Sequence, residues 1–359
     1  MNAHPVKITL PALVAGAALA VSPFAGAAVP LAGQTLEAYG KIDVSLDLSD
    51  TDAPGDSSNL SLSSNESQLG LKGRHDINPG LSLIWQLEQE YRTDEGGGEF
   101  ATRNTFAGFQ GDRFGTILAG YHDTPFKSVG TRWGVLGNTV GERRSILGAS
   151  AVNGDVMNQR ARNALLYMNT FQALEVQAMY ATDAQDGTGD NVDDNDNDMF
   201  SAAAWYTLGL LRLSFGYEDW SNLQGGGNVD GIRLAASHQV TRDGQVGLIF
   251  ETISADDMPD LDRNVVGVNG SYRMGAYTYE AQVLIADSYD GQGDSGALKI
   301  GLGVTRQLDA QTQIYAAFGM TDNEENAQYR AVDGGHGDEV ATVPGGTPNA
   351  ISAGFSFAF

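Results

Sequence analysis

The nonapeptide Ile351-Ser-Ala-Gly-Phe-Ser-Phe-Ala-Phe359 alternates between two kinds of side chain. In an extended strand, alternate residues point to opposite faces. One face then carries Ile351, Ala353, Phe355, Phe357 and Phe359, and the other carries small, mostly polar residues. An aromatic face opposite a small polar face suits a strand that separates lipid from water. The same alternation also occurs in an ordinary half-buried sheet, so the fold has to be read from the remaining chain.

Residues 1–27 have the features of an export signal. Lys7 gives a positive start, residues 10–20 form an apolar run, and Ala25-Gly-Ala27 is a small-residue cleavage site. A transmembrane anchor is the alternative, although the run is short and rich in alanine. We expect cleavage after Ala27, which leaves residues 28–359 as one β-domain. No other apolar run is long enough for a spanning helix, so a membrane would have to be crossed by strands.

The composition argues against several classes of protein. The formal charge is −24, from 45 acidic and 21 basic residues, which disfavours nucleic acid as a partner and favours cations. With no cysteine in the chain, neither disulfides nor thiol chemistry are expected. The five histidines lie in no recognisable hydrolase motif, and a Gly-x-Ser-x-Gly elbow is absent. An enzyme is therefore not expected.

Alternating segments recur along the whole chain after residue 34. They lie near 35–48, 66–76, 81–92, 103–111, 114–122, 162–169, 171–182, 199–207, 210–220, 229–240, 244–254, 263–274, 276–287, 296–307, 311–321 and 349–359. That makes sixteen strands, an even number. A short turn follows each even strand except the last, and a long connection follows each odd strand.

This order predicts an all-β fold, a transmembrane antiparallel up-and-down β-barrel of 16 strands. Short periplasmic turns and longer external loops are typical of such barrels. Strand 16 has to pair with strand 1, because an open sheet edge would leave unpaired backbone groups in hydrocarbon. A soluble propeller or β-solenoid is the alternative, but the chain shows no fixed-period repeat.

Several segments are similar to those of general porins of the Gram-negative outer membrane. They are Leu36-Glu-Ala-Tyr-Gly-Lys-Ile-Asp43, Ser67-Gln-Leu-Gly-Leu-Lys-Gly73, Arg103-Asn-Thr-Phe-Ala-Gly-Phe109, Phe114-Gly-Thr-Ile-Leu-Ala-Gly120 and the terminal phenylalanine. The resemblance covers the whole mature chain. It implies a homotrimer in the outer membrane that passes ions and small hydrophilic solutes. It also implies that Phe355, Phe357 and Phe359 are read by the barrel-assembly machinery.

The longest connection, residues 123–161, is the candidate constriction. A loop of this length is usually functional or disordered, and a barrel of sixteen strands leaves an aqueous channel unless something fills it. The resemblance implies that this third loop folds inward; a fluctuating external loop is the alternative. Alternation places Lys41, Lys72, Arg74 and Arg92 in the lumen, and we add Arg103. These cations would face acids of the loop across a narrow aperture and create a transverse field.

The charge of the loop leaves the ion preference open. Its charged residues include Asp123, Arg132, Glu142, Arg143, Arg144, Asp155 and Arg160, and with Lys127 they make five bases against three acids, a net charge of +2. The acidic Pro-Glu-Phe-Gly-Gly type of motif found in enteric porins is absent. The acidic protein as a whole favours cations at the mouths, whereas the constriction could favour anions.

Residues 183–198 contain seven aspartates and no base. Asp194, Asp196 and Asp198 resemble the start of a calcium-binding loop, but the glycine and the distal glutamate are missing. This external segment could bind Ca²⁺ or Mg²⁺ bridged to lipopolysaccharide; a hydrated, mutually repelling loop is the alternative. No other cofactor is expected.

Two further readings of function stay open. A substrate-specific channel would use the arginines as a ladder for an anion such as a phosphate or carboxylate. A structural or adhesive barrel with a plugged pore would conduct nothing. The main expectation is passive diffusion through a water-filled barrel. The final long connection, 322–348, is expected to be exposed.

Overall fold

The computed structural model describes residues 29–31, 36–56, 58–96, 100–185, 197–225 and 227–359. The expected signal peptide, residues 1–27, lies outside this part of the chain. So do Asp194 and Asp196 of the acidic segment.

Sixteen strands, labelled β1–β16, build the main sheet of the described chain, and β2 is divided into two segments. The strands are β1 Glu37–Asp50, β2 Asn59–Ser64 and Gln68–Asn78, β3 Leu81–Glu90, β4 Thr105–Gly111, β5 Gly115–Asp123, β6 Arg160–Phe171, β7 Leu174–Ala181, β8 Met199–Leu208, β9 Leu211–Trp220, β10 Val229–Thr241, β11 Gly244–Ala255, β12 Arg263–Met274, β13 Tyr277–Ala286, β14 Ala297–Gln307, β15 Thr312–Asn323 and β16 Asn349–Ala358. Val29–Pro30 adds a short strand beside β1.

The sheet closes on itself. Each strand pairs antiparallel with the next, from β1 and β2 to β15 and β16, and β16 pairs with β1 over ten residues from Lys41–Ala358 to Asp50–Asn349. Gly40 and Phe359 add two backbone hydrogen bonds of 2.9 and 3.0 Å to this seam. The predicted barrel of sixteen strands is confirmed, and closure leaves none of its strands with a free edge.

The two faces of the wall differ in chemistry. Along β1, Asp43, Ser45 and Asp47 point inward and are buried, whereas Leu46 and Leu48 point outward and are half exposed. In β16, Ser352 and Ser356 are buried inside while Ile351 and Phe355 are exposed outside. An outward apolar face and an inward polar face are what a barrel in lipid requires.

The connections fall into two classes at opposite ends of the barrel, here called the turn end and the loop end. The turn-end connections are short, as at Pro79–Gly80 and Gly209–Leu210, where both glycines have positive φ. The turn between β6 and β7 lies at Gln172–Ala173, not at Asn169–Thr170, because β6 continues to Phe171. Within the described residues, no helix is long and apolar enough to span a bilayer.

The third long connection, residues 124–159 (the third loop), lies inside the barrel. It begins with α1, Pro125–Trp133, whose first turn is capped by the Thr124 hydroxyl accepting from the Lys127 N–H at 3.2 Å. A 3₁₀ turn, Arg143–Ser145, and the short pair Ala149–Ser150 and Gly154–Asp155 follow. Phe126, Val129 and Trp133 are fully or almost fully buried against the wall. The expected inward fold of this loop is confirmed.

The eighth long connection, residues 324–348 (the eighth loop), also enters the barrel, so its expected exposure is wrong. Ala331, Val332 and Val340 form an apolar cluster with Val140 of the third loop, Ala317 of β15 and Ala350 of β16. The Lys299 ammonium of β14 donates to the Ala331 carbonyl at 2.5 Å. In the described part of the chain, the eighth loop therefore joins the third loop inside the barrel.

Further 3₁₀ turns lie at Leu223–Gly225 and Pro259–Leu261.

Candidate pore constriction

A buried charged triad fixes the third loop to the wall. Arg233 of β10, Glu251 of β11 and Arg263 of β12 have fully buried side chains, and the Glu251 carboxylate lies 2.6 Å from Arg233 and 3.2 Å from Arg263. Other polar atoms of the triad reach the loop backbone: Arg233 donates to the Phe126 carbonyl, and the Gly148 N–H donates to Glu251. Arg263 donates to the carbonyls of Ile146 and Ala149. The triad therefore fixes the loop near its start, at Phe126, and again at residues 146–149.

A second set of contacts holds the middle of the third loop. Asn269 of β12 donates to the Trp133 carbonyl at 2.6 Å, and Gln282 of β13 donates to the Gly141 carbonyl at 2.5 Å. On β15, Gly319 lies against the Val140 carbonyl, which would be 1.9 Å from an added Cβ. The loop therefore follows the wall from β10 to β15.

Arg103 is the centre of an ion-pair cluster near β2 and β3. Its guanidinium lies 3.0 Å from Glu88, 2.8 Å from Glu90 and 3.1 Å from Glu66. Arg144 of the third loop approaches the same Glu66 at 3.0 Å. The Glu66 carboxylate, held between the guanidiniums of Arg103 and Arg144, therefore joins the third loop to the wall opposite the buried charged triad.

The structure separates the five cations expected on the wall. Lys41 and Arg103 point inward but are buried in ion pairs. Lys72 and Arg74 face the lumen near the turn end, with side chains 44% and 47% exposed. Arg92 is not a wall residue: β3 ends at Glu90, and Arg92 lies in the following loop, where it pairs with Glu95. The alternation of side chains in the sequence continues past Glu90, where the strand ends.

The charged loop residues fall into three groups. Asp123 holds the two ends of the loop together by pairing with Lys127 at 2.6 Å and Arg160 at 3.1 Å. Glu142 pairs with Arg143 and Arg144 within the loop. Arg132 reaches Glu175 of β7 at 2.7 Å and stacks on the Trp205 ring, whereas Asp155 accepts from Asn158. Burial and the nearby Arg160 lower the pKa of the Lys127 ammonium to about 8, against the opposing effect of Asp123.

The expected field of wall cations facing loop acids is not what forms. The contacts across the aperture run the other way, because loop Arg144 and Arg132 face wall-side Glu66 and Glu175. The buried wall cations are paired with acids of the wall itself. Opposite charges this close largely cancel at a distance. The more exposed lumen cations lie toward the turn end: the side chains of Lys72, Arg74 and Arg212 are 44%, 47% and 45% exposed, and each also lies within 4 Å of a carboxylate, of Glu37, Asp76 and Glu175 respectively.

Sequence reasoning missed the contribution of the eighth loop. His336 of this loop reaches Asp47 of β1, with 2.8 Å between Nε2 and Oδ2. The alternating apolar residues Ala327, Tyr329 and Ala331 are all buried. That alternation was the available signal, hidden among the glycines and aspartates that follow it.

The remaining predicted residues lie away from the constriction. Phe355 is exposed on the outer face of β16, and the rings of Phe357 and Phe359 stack at 5.9 Å. Asp198, the described member of the proposed cation site, accepts a hydrogen bond from the Tyr180 hydroxyl at 2.8 Å.

A closed sixteen-strand barrel with a loop anchored inside its lumen has the architecture of a diffusion channel. The family model of the Gram-negative porin matches residues 8–326. The chain belongs to this family. It is a porin of the outer membrane, with its turn end toward the periplasm and its loop end outside.

Two outer-membrane proteins are similar in sequence to most of this chain. Outer membrane protein U of Vibrio vulnificus is 30% identical over 280 residues, which cover 74% of this chain and 72% of the relative. Outer membrane porin protein 32 of Delftia acidovorans is 28% identical over 86% of this chain and 89% of its own. Among solved structures, the anion-selective porin from Comamonas acidovorans superposes with a TM-score of 0.74 at 22% identity, over 90% of this chain and 99% of that one. At this identity the likeness shows the fold.

Proposed function

We propose that this porin passes small hydrophilic solutes by passive diffusion, catalyses no reaction, and discriminates only weakly by charge. The observation that carries the proposal is the pairing of loop arginines with wall-side carboxylates, as in Arg144–Glu66 and Arg132–Glu175. Paired charges leave a small net field in the aperture, so size sets the limit more than sign does. No bound cofactor takes part in this transport.

The test is the unit conductance and zero-current potential of the purified protein in a planar bilayer under a KCl gradient. Large conductance steps with a small potential support weakly selective diffusion. A large zero-current potential that shows anion selectivity, together with block of the current by one solute, would support the substrate-specific anion channel instead. A barrel without conductance would overturn the proposal and favour the plugged structural barrel.

We expect Lys72 and Arg74 to determine the remaining ion selectivity of the pore. Replacing both by glutamine removes two accessible lumen cations, and we expect the zero-current potential to move toward cation selectivity by about 10 mV in a tenfold salt gradient. Folding should be unchanged because these side chains face water. Arg306→Gln is the matched control, since Arg306 stacks on Tyr277 at the outer face. An equal shift in the control would contradict the assignment.

Assembly into a homotrimer is part of the proposal, supported by the family and by the trimer form of OmpT from Vibrio cholerae, which has a TM-score of 0.64 at 17% identity over 90% of this chain and 99% of that one. The lipid partner is the outer-membrane bilayer with its lipopolysaccharide. Divalent cations at the Asp194–Asp198 segment would strengthen that contact, and loss of trimer stability on chelation would support it.

The aromatic end of β16 should act in assembly rather than in conduction. Phe359→Ala keeps the backbone bonds to Gly40 and removes only the ring. We expect several-fold less inserted protein in the outer membrane, with unchanged conductance for each inserted channel. Phe171→Ala removes another exposed aromatic ring at the turn end and serves as the control. Normal insertion of the Phe359 variant would refute the assembly role.

A further inference from the structure

A polar cavity of about 260 Å³ lies between the barrel wall and the eighth loop, toward the loop end. The wall contributes polar residues that face each other across β1 and the first segment of β2, since Asp47 pairs with Ser61 and Ser49 pairs with Asn59. One water needs only about 10–15 Å³ of cavity volume, so this cavity has space for a small solute. Its polar and acidic lining includes Asp47, Ser49, Asn59, Ser61, Asp338 and Glu339.

The Asp47 carboxylate has one unused acceptor atom at this cavity. Its Oδ2 lies 2.8 Å from Nε2 of His336, whereas its buried Oδ1 has no hydrogen-bond partner among the described residues. The side chain is only 3% exposed, so bulk water does not solvate this oxygen freely. A buried carboxylate oxygen without a donor is costly. A solute that brings a donor to Asp47 would therefore gain a charge-assisted hydrogen bond.

The charge of the lining favours a cation as that solute. The carboxylates of Asp47, Asp338 and Glu339 line the cavity together with the imidazole of His336. Glu339 also pairs with the Arg330 guanidinium, which lies behind it in the eighth loop. Even with both of these bases charged, three carboxylates leave the cavity with a negative charge. An anion would meet like charge there, whereas a cation would be attracted.

The arrangement of the acceptors favours an organic ammonium over a metal ion. Within the part of the chain that the structure describes, no group of three or more histidine, cysteine, aspartate or glutamate side chains is placed to hold a metal. A metal ion requires its oxygen ligands to converge on one point. A primary ammonium instead carries three N–H donors that point in different directions. It can therefore use a carboxylate and the serine hydroxyls of opposite sides of the cavity.

We propose that this cavity binds small primary ammonium solutes, with the Asp47 carboxylate as the main acceptor and Asp338 as a second anion. The proposal deepens the diffusion function proposed above by naming a class of solute, and it rests on that function for passage of the solute but not for its binding. Because the site lies toward the loop end, a bound ammonium is concentrated at the external mouth. Recognition here depends on N–H donors, so it is compatible with weak charge discrimination at the aperture.

The test compares two cations that contain the same atoms and the same charge, n-butylammonium and tetramethylammonium. Only the first has N–H donors, so attraction by charge alone would bind both equally. Ligand-observed NMR with the whole protein in detergent measures their binding. We expect saturable binding of n-butylammonium, at least about tenfold tighter than that of tetramethylammonium. Equal affinities, or no saturable binding of either cation, would overturn the proposal.

Substitutions assign the binding to this cavity. Asp47→Asn keeps an oxygen for His336 but removes the charge, and we expect it to weaken n-butylammonium binding about tenfold. Asp338→Asn changes a half-buried loop residue that keeps its backbone N–H bond to Ser63, and it should weaken binding about threefold. If Asp47→Asn failed to assemble, this second variant would decide. Asp290→Asn removes an exposed acid from another external connection and should bind as the wild type does.

Wild-type affinity in the cavity variants would overturn the site, since any uptake of n-butylammonium by the detergent is the same for every variant. Unit conductance in a planar bilayer separates this result from the diffusion function, because the NMR measurement needs no ion flow. A conducting barrel that does not bind n-butylammonium would overturn the site and leave diffusion standing. Donor-dependent binding to a barrel that conducts nothing would refute diffusion and leave the site standing.

Discussion

We expect Glu251→Ala to widen the pore and weaken the barrel. The change leaves Arg233 and Arg263 buried without their carboxylate, and breaking a buried ion pair by removing one partner costs about 3–5 kcal/mol. The loop backbone also loses the acceptor of the Gly148 N–H. Since the two arginines hold the third loop at Phe126, Ile146 and Ala149, we expect a larger and noisier unit conductance and easier unfolding by heat.

The measurement pairs single-channel recording with the temperature at which folded protein is lost in detergent. Glu280→Ala is the matched control, since Glu280 is a lumen-side carboxylate on β13 outside the triad. Glu251→Gln keeps an oxygen acceptor but loses the charge, so its effects should be intermediate. Unchanged conductance in Glu251→Ala would show that the other anchors suffice to position the loop.

Gly319→Ala should have the opposite effect on conductance. The added Cβ would lie 1.9 Å from the Val140 carbonyl, a backbone atom that cannot rotate away. The third loop must then move from β15 into the lumen near Val140, because the triad still holds it on both sides of that residue, at Phe126 and at 146–149. Overpacking of this kind typically costs about 1–3 kcal/mol. We expect an assembled barrel whose unit conductance is lower by roughly a third, since ion flow depends on the width of the aperture.

Gly270→Ala is the control for this variant. Gly270 lies in β12, and the nearest atom to its added Cβ is 3.5 Å away, an ordinary contact. Its conductance should equal that of the wild type. If Gly319→Ala conducted normally as well, the third loop would have to be more compliant at Val140 than its contacts indicate.

The wall of the barrel was predictable because strands in lipid obey a period of two. Alternation gave fifteen strands and the second segment of β2 to within a few residues, but the first segment of β2, Asn59–Ser64, lies in the expected long connection 49–65. The pairing of β16 with β1 followed from the need to satisfy backbone groups in hydrocarbon. Errors arose where the alternation continues beyond the end of the strand, and where the strand continues beyond the predicted turn. Arg92 follows the alternation but lies past the end of β3, and β6 continues through the polar Asn169–Thr170 to Phe171.

The interior was less predictable because its contacts join distant segments. Alternation places Arg233, Glu251 and Arg263 inside but does not show that they meet one another and the third loop. The same is true of His336 and Asp47, which are 289 residues apart. Charge counts gave the excess of bases in the third loop, yet the partners of Arg132 and Arg144 depend on the path of the loop through the lumen.

The seam between β1 and β16 has a consequence for how the wall is made. Lys41 meets Ala358, so one of the pairings that close the sheet joins segments near opposite ends of the described chain. Contacts of such large separation carry a high loop-closure entropy and slow the search for the native state. Until the seam forms, two strands have open edges, and the third and eighth loops have no enclosed space to fill. Folding of the wall and seating of its inner loops should therefore be one cooperative event rather than a stepwise addition of hairpins.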